Sequence, residues 1–166
     1  MNQEEILKLL DEKKIEYTLV HHKAVFTIDE MNEVDVPNKD RIAKNLFLRD
    51  DKKRSYYLVS IEETKRADLK ALRTLLSSRP LSFASEDDLV YILSLKKGEV
   101  TPFGLLNDKE HKAVFILDSY FEGGIIGIHP NDNTATVFLK ASDLLSVLEN
   151  SGVKTEIADL RSFSSR

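Results

Sequence analysis

The sequence predicts a single α+β domain in which a mixed, largely antiparallel sheet is surrounded by helices. Three observations predict it. Amphipathic stretches that begin at helix caps are interleaved with short runs rich in Val, Ile, Tyr and Phe. Most neighbouring strand candidates are separated by short turns, which favours antiparallel pairing over a doubly wound parallel sheet. A length of 166 residues, 42% hydrophobic and 31% charged, suits one hydrophobic core. Residues 1–160 are assigned to this domain and the serine-rich residues 161–166 to a frayed tail.

Asn2 followed by Glu5 has the pattern of a capping box, and Ile6, Leu9 and Leu10 recur at helical spacing, so residues 3–14 read as a first amphipathic helix packed on the sheet. Residues 17–21 alternate as a strand, and Thr27 with Glu30 offers a second capping box for a short helix through about Asn32. Pro37-Asn38 breaks that helix. Residues 41–49 then form a helical turn running into a strand, 50–53 a turn, and the β-rich run 55–61 folds back as a hairpin with Lys44 at its entry. Asp68 opens a helix with Leu69, Leu72, Leu75 and Leu76 on one face, closed by Arg79-Pro80. After a short strand at 81–83, Ser85 caps a helix carrying Leu89, Ile92 and Leu93. Residues 98–104 read as a loop, and 113–117 as an apolar strand suited to the interior. Glu122-Gly123-Gly124 turns the chain into strands 125–128 and 135–139 around a polar loop at 129–133. Ser142 caps a last helix, Gly152 ends it, and 155–157 add an edge strand.

Composition narrows the chemistry. Cysteine is absent, which removes disulfides, thiolate metal sites and a cysteine nucleophile. The N-terminal run Met1-Asn2-Gln3-Glu4-Glu5 lacks the basic and apolar regions of a secretory signal, and no apolar run reaches membrane-spanning length, so a cytoplasmic protein without a membrane partner is expected. A net charge of -4 and a pI near 5.6 argue against bulk electrostatic binding of nucleic acid, DNA included. Gripping one end of an RNA needs only a local basic rim, which Lys39/Arg41/Lys44, Lys52-Lys53-Arg54, Lys65-Arg66 and Lys96-Lys97 can supply. His21 and His22 are strand neighbours that face opposite sides and do not share an ion easily, so neither a metal nor a cofactor is expected. No serine sits on a glycine-flanked nucleophile turn, and the spaced glycines of 123–127 lead into a strand, not into a phosphate-binding helix.

Three segments remain as candidates. Gly98-Glu99-Val100-Thr101-Pro102-Phe103-Gly104 sets a rigid proline between two glycines and can present backbone N–H and C=O groups at fixed positions. Residues 127–134 place His129 and two amides in a turn. Lys44 lies among Ala43, Leu46, Phe47 and Leu48, where anchored surroundings would fix its ammonium for a phosphate, a ribose hydroxyl or a carbonyl oxygen.

Taken in order, His22-Lys23-Ala24-Val25-Phe26-Thr27, Lys44-Asn45-Leu46-Phe47-Leu48, Lys65-Arg66-Ala67-Asp68-Leu69-Lys70-Ala71-Leu72, residues 98–105 and His129-Pro130-Asn131-Asp132-Asn133-Thr134-Ala135-Thr136 resemble the YbaK/prolyl-tRNA synthetase editing-domain family, in particular its freestanding alanyl-tRNA(Pro) deacylase branch. The resemblance covers nearly the whole chain. Lys23 departs from it, standing where many relatives have a proline.

The resemblance implies a cytoplasmic trans-editing hydrolase that works without a cofactor on the acceptor end of mischarged tRNA(Pro), with prolyl-tRNA synthetase as a candidate partner. It implies a centre at Lys44, substrate contacts from Asn45, Gly98, Thr101, Pro102, Phe103, Gly104 and His129, and a size-restricting wall at Phe26, Thr27 and Ile28. A proline pocket rejects alanine weakly, since one missing methylene is worth only about 1 to 3 kcal/mol, so a second site must hydrolyse the error. The ester is already activated, so a positioned water, helped by the neighbouring ribose hydroxyl, and stabilisation of the oxyanion would suffice. Within the family the alternative substrate is another small amino acid, such as cysteine on tRNA(Pro). Outside catalysis, the alternative is a relative that senses tRNA or an amino acid.

Overall fold

Capping chemistry sets where the chain begins to fold. In the computed structural model, which describes residues 1–24 and 37–160, helix α1 (Gln3–Glu12) starts at Asn2. The Asn2 side chain accepts from the Glu5 N–H at 2.9 Å, and the Glu5 carboxylate takes the Asn2 N–H at 3.2 Å, the reciprocal box read from the sequence. Strand β1 (Tyr17–His21) follows. The expected helix at 27–32, the tail at 161–166 and the candidate wall residues Phe26, Thr27 and Ile28 lie outside the described residues.

A 3-10 turn (Lys39–Arg41) leads into β2 (Ala43–Asp50), and β3 (Tyr56–Glu62) completes the expected hairpin. Helix α2 (Leu69–Leu76) ends before Arg79-Pro80 because Ser77 turns left-handed, with φ 51°, and Ser78 N–H closes back on the Arg73 carbonyl. Strand β4 (Leu81–Phe83) precedes α3 (Glu86–Asp88), which Ser85 caps and which widens into a π-turn at Leu89–Leu93. The segment 98–104 is loop only in its first half, since Pro102 opens a 3-10 helix (Pro102–Asn107) from its favoured first position. Then come β5 (Ala113–Asp118), a 3-10 turn (Ser119–Phe121), β6 (Ile125–Ile128), β7 (Ala135–Lys140), α4 (Ala141–Asn150) and β8 (Thr155–Ala158). Helix α4 is not capped by Ser142. It begins directly off β7, whose last residue Lys140 pairs with Ile125, and the Ala141 N–H donates to the Gly124 carbonyl.

The strands form two sheets, not one: β1-β7-β6, all antiparallel, and β4-β2-β3-β5-β8. In the larger sheet β2 pairs antiparallel with β3 and β4, while β3–β5 and β5–β8 are parallel. Both parallel pairs follow long connections, residues 63–112 and 119–154, as parallel geometry demands. The larger sheet is covered on both faces. Ala43, Phe47, Leu58, Phe115 and Leu117 face the main core shared with α1, α4 and the smaller sheet, whereas Leu46, Leu48, Val59, Ile61 and Ile116 pack against Leu72 of α2 and Leu160. Among the described residues no helix is long and apolar enough to cross a membrane.

One parallel bridge, Ile42 to Gly127, joins the two sheets. A Cβ at Gly127 would lie 2.6 Å from the Phe138 ring and 3.1 Å from Ile42, so only glycine permits the approach. Gly127→Ala is therefore expected to lower the free energy of unfolding by about 1–3 kcal/mol through overpacking, measured by urea denaturation.

Candidate active site

Strand β2 has β3 along one edge and two partners on the other, β6 beside Ile42 and β4 beside residues 48–50. The Asp50 N–H donates to Ser55 of the hairpin, while the Phe47 carbonyl accepts from Ala84 next to β4. Main-chain direction alternates along a strand, so Asn45 turns its N–H and C=O toward the edge between β6 and β4, which pairs with no strand among the described residues. Side chains alternate as well. Asn45 shares the main-core face with Ala43 and Phe47, whereas Lys44 shares the α2 face with Leu46 and Leu48.

Asn45 is half-buried, and its Oδ1 accepts from the Oγ of buried Ser60, its partner across the hairpin, at 2.5 Å. The Lys44 ammonium is anchored by donating to the Lys65 carbonyl. Lys65 is itself fixed, for its Nζ lies 2.8 Å from Oδ2 of Asp118, a carboxylate with no exposed surface that also accepts from the N–H groups of Glu62 and Tyr120. A buried carboxylate at the end of β5 thereby locates the support on which Lys44 rests.

The loop at 98–104 is built from its inside. Gly98 adopts φ 85°, and the Lys96 N–H donates to the Glu99 carboxylate across the turn. Thr101 and Phe103 have no exposed surface, and Phe103 lies in the main core. A Cβ at Gly104 would meet Leu95 at 2.6 Å, so Phe103 and Gly104 anchor the loop while its outer residues, Gly98 to Val100, remain half-exposed. The Thr101 hydroxyl donates to the His129 carbonyl at 2.6 Å, which locks this loop onto the turn after β6.

The His129 Nδ1 lies 2.9 Å from the Ala135 carbonyl. A carbonyl only accepts, so Nδ1 carries the hydrogen and Nε2 is the lone-pair nitrogen of the neutral ring. Burial pushes the His129 pKa below its ordinary value, with a contribution from neighbouring His22, which keeps the ring neutral near pH 7. Pro130 is buried, Asn131 is left-handed with φ 60°, and the hydrogen bonds from Thr134 hold the Asp132 carboxyl below the usual range. Asn131 Oδ1 and Asn133 Nδ2 are buried without a hydrogen-bond partner among the described residues.

The structure thus brings the 98–104 loop and His129 into direct contact and connects Lys44 and Asn45 to them through the β2–β6 junction. Arg41, read as part of a basic rim, is half-buried and tied to the fold instead. Its Nε donates to the Ile125 carbonyl at 2.9 Å, and its guanidinium lies 4.7 Å from the Tyr120 ring centroid. Exposed Lys52, Lys53, Arg54, Arg66, Lys96 and Lys97 remain as the cationic surface. Asp118, Thr136 and the part played by Ser60 were not singled out from sequence. An acid closing an apolar strand was the available signal for Asp118 alone.

The model of the aminoacyl-tRNA editing domain matches residues 22–147. The chain is 46% identical over 148 residues to the prolyl-tRNA editing protein ProX of Acetoanaerobium sticklandii, covering 89% of this chain and 90% of that protein. It is 37% identical over 139 residues to prolyl-tRNA synthetase associated domain-containing protein 1 of Bos taurus, covering 81% of each. A crystal structure assigned provisionally as a trans-editing enzyme for prolyl tRNA synthetase shares the fold, with a TM-score of 0.67 at 18% identity over 96% of this chain and 98% of the other.

Asp118→Ala would leave Lys65 and two main-chain donors without their buried acceptor. The expected loss of stability is about 3–5 kcal/mol, read from denaturant unfolding, and replacing Lys65 by Met in the same chain should recover part of it.

Proposed function

The chain belongs to the aminoacyl-tRNA editing domain family, and from that membership we propose that it is a trans-editing deacylase that hydrolyses the ester of mischarged tRNA(Pro), with alanine as the amino acid removed. One observation supports the reading at the level of geometry: the 98–104 loop is bonded to His129, and the bridge from Ile42 to Gly127 sets the turn that carries His129 beside the strand that bears Lys44 and Asn45.

Lys44 is the centre of the reaction. Its ammonium donates to the Lys65 carbonyl, and that anchor holds the charge in place for the ester carbonyl or the terminal ribose. Fixed positive charge facing the developing oxyanion lowers the barrier without reorganisation during reaction. Asn45, held by Ser60 on the other face of β2, offers its main-chain groups to the substrate, and loop N–H groups near Gly98 orient the acyl-adenosine. His129 presents its Nε2 lone pair to the attacking water, because Nδ1 is committed to Ala135. The selection that admits alanine and excludes proline by size is assigned to Phe26, Thr27 and Ile28, which lie outside the described residues. Exposed lysines and arginines meet acceptor-end phosphates, consistent with an acidic protein that holds only one end of an RNA. The enzyme acts in the cytoplasm, where charged tRNA is found, and needs no cofactor.

Lys44→Ala should reduce kcat by about 100- to 1,000-fold on alanine-charged tRNA(Pro), the effect of losing one preorganised oxyanion donor. The assay is single-turnover deacylation with a circular-dichroism control for folding. A panel of tRNAs charged with alanine, cysteine, serine and proline identifies the amino acid. Wild-type turnover by the Lys44 variant overturns the assigned centre, and no turnover on any substrate favours a sensing role.

His129 has its pKa lowered by burial, so the neutral, lone-pair-bearing ring persists below the ordinary histidine range. Activity should therefore stay level as pH falls through that range and decline only below it, measured as the pH profile of kcat.

A further inference from the structure

Two imidazoles meet where β1 leaves the small sheet. His22 directly follows β1, and its N–H donates to the Thr134 carbonyl at 2.9 Å. Its ring is held at both nitrogens: Nδ1 is 2.7 Å from the Lys23 carbonyl, and Nε2 is 2.9 Å from the Thr136 hydroxyl. The ring of His129 lies 6.2 Å away, centroid to centroid, tilted by 56°. Ala135 and Thr136 are consecutive residues of β7, and each holds one imidazole, Ala135 through its carbonyl and Thr136 through its hydroxyl. Thr136 has no exposed surface, so this hydroxyl is a fixed point and not a solvent-facing rotor.

The hydrogen-bond pattern makes the two rings unequal. Both commit Nδ1 to a carbonyl acceptor, which places the hydrogen there in each neutral ring. His22 then satisfies Nε2 on Thr136, whereas the Nε2 of His129 has no hydrogen-bond partner among the described residues. Among the described residues the charged groups acting on His129 include His22, Asp132 and Glu99, and His21 acts on Asp132.

We propose that His22 is a positioning residue for the deacylation reaction: braced by Lys23 and Thr136, it fills the space beside His129, keeps that ring turned on Ala135, and opposes a second positive charge there, so that Nε2 of His129 stays an acceptor for water. The proposal rests on the reading of His129 as the group that orients water. It assigns a function to His22 that its place in the sequence, next to a chemically similar His21, does not distinguish. It also explains why a hydroxyl stands at Thr136 inside the buried and otherwise apolar residues 135–139 of β7.

The test uses His22→Gln in the full-length protein, which removes the ring and its charge but keeps a polar group that can reach Thr136. The His129 ring is titrated by NMR, and kcat is measured against pH on the mischarged tRNA that the panel identifies. Removing a like charge favours protonation of its neighbour, so the His129 midpoint should rise by about half a pH unit or more, with the acid limb of kcat rising alongside it and KM changing little. An unchanged His129 midpoint in a folded variant overturns the proposal. A raised midpoint with an unmoved acid limb also overturns it, because the pair would be coupled but outside the chemistry. Absence of deacylation by the wild-type protein on every charged tRNA overturns the functional reading instead, and the titration still reports whether the rings are coupled. Should His22→Gln fail to fold, Thr136 supplies the second measurement. Thr136→Val, which keeps the shape but loses the hydroxyl, should lower kcat at least tenfold more than Thr136→Ser, which keeps it. The reverse order would show that Thr136 acts by packing alone and overturns the brace.

Discussion

At Gly127 the backbone of the smaller sheet approaches β2 closely enough for one parallel bridge, and the space that a side chain would take is filled by Phe138 and Ile42. The site depends on this contact. Beyond it β6 leads to His129, β2 carries Lys44 and Asn45, and the edge of β2 between its two partners pairs with no other strand among the described residues. A continuous sheet would have filled that edge with another strand. Two sheets meeting at one point leave main-chain groups and side chains available together, and the Thr101 hydroxyl brings the 98–104 loop to the same place.

The second constraint is electrostatic. Lysine is a flexible point charge, and its value to a reaction depends on what removes that flexibility. Here the Lys44 ammonium rests on a main-chain carbonyl whose own residue is held by the buried Asp118, and Asp118 is satisfied by two further N–H groups. Charge is thus fixed from the interior outward. Arg41 obeys the same logic at the β2–β6 junction, where its guanidinium serves as an internal tie between the 3-10 turn and the start of β6.

A labile ester requires little from its catalyst beyond placement, and the parts described are suited to placement. The ammonium, the loop and the imidazole come from different elements of the fold, and each is secured by hydrogen bonds that precede any substrate. His129 is the clearest instance, since the Ala135 carbonyl fixes which nitrogen bears hydrogen and burial keeps the ring uncharged. The size-restricting wall assigned to Phe26, Thr27 and Ile28 lies outside the described residues.

Much of the fold was legible in the sequence because its signals are local. The Asn2–Glu5 box, the hairpin around Asp50 and strands β1, β4 and β6 are each specified within a few residues. The segments of the candidate site were legible for a similar reason, as short motifs in a recognisable order. The pairing of β3 with β5 and of β5 with β8, the division into two sheets, and the start of α4 without its expected serine cap were not, because each depends on partners outside the local stretch of chain. Lys44 and Asn45 stand side by side in the sequence, and only the strand between two cores sends their side chains to opposite faces. The sequence by itself determined which elements form and which residues carry charge, since caps and periodicity act over one or two turns of chain. The tertiary structure decided which faces meet, that Arg41 is tied to the fold and Phe103 is buried, and that His22 stands beside His129, because burial and long-range hydrogen bonds exist only once distant segments are packed together.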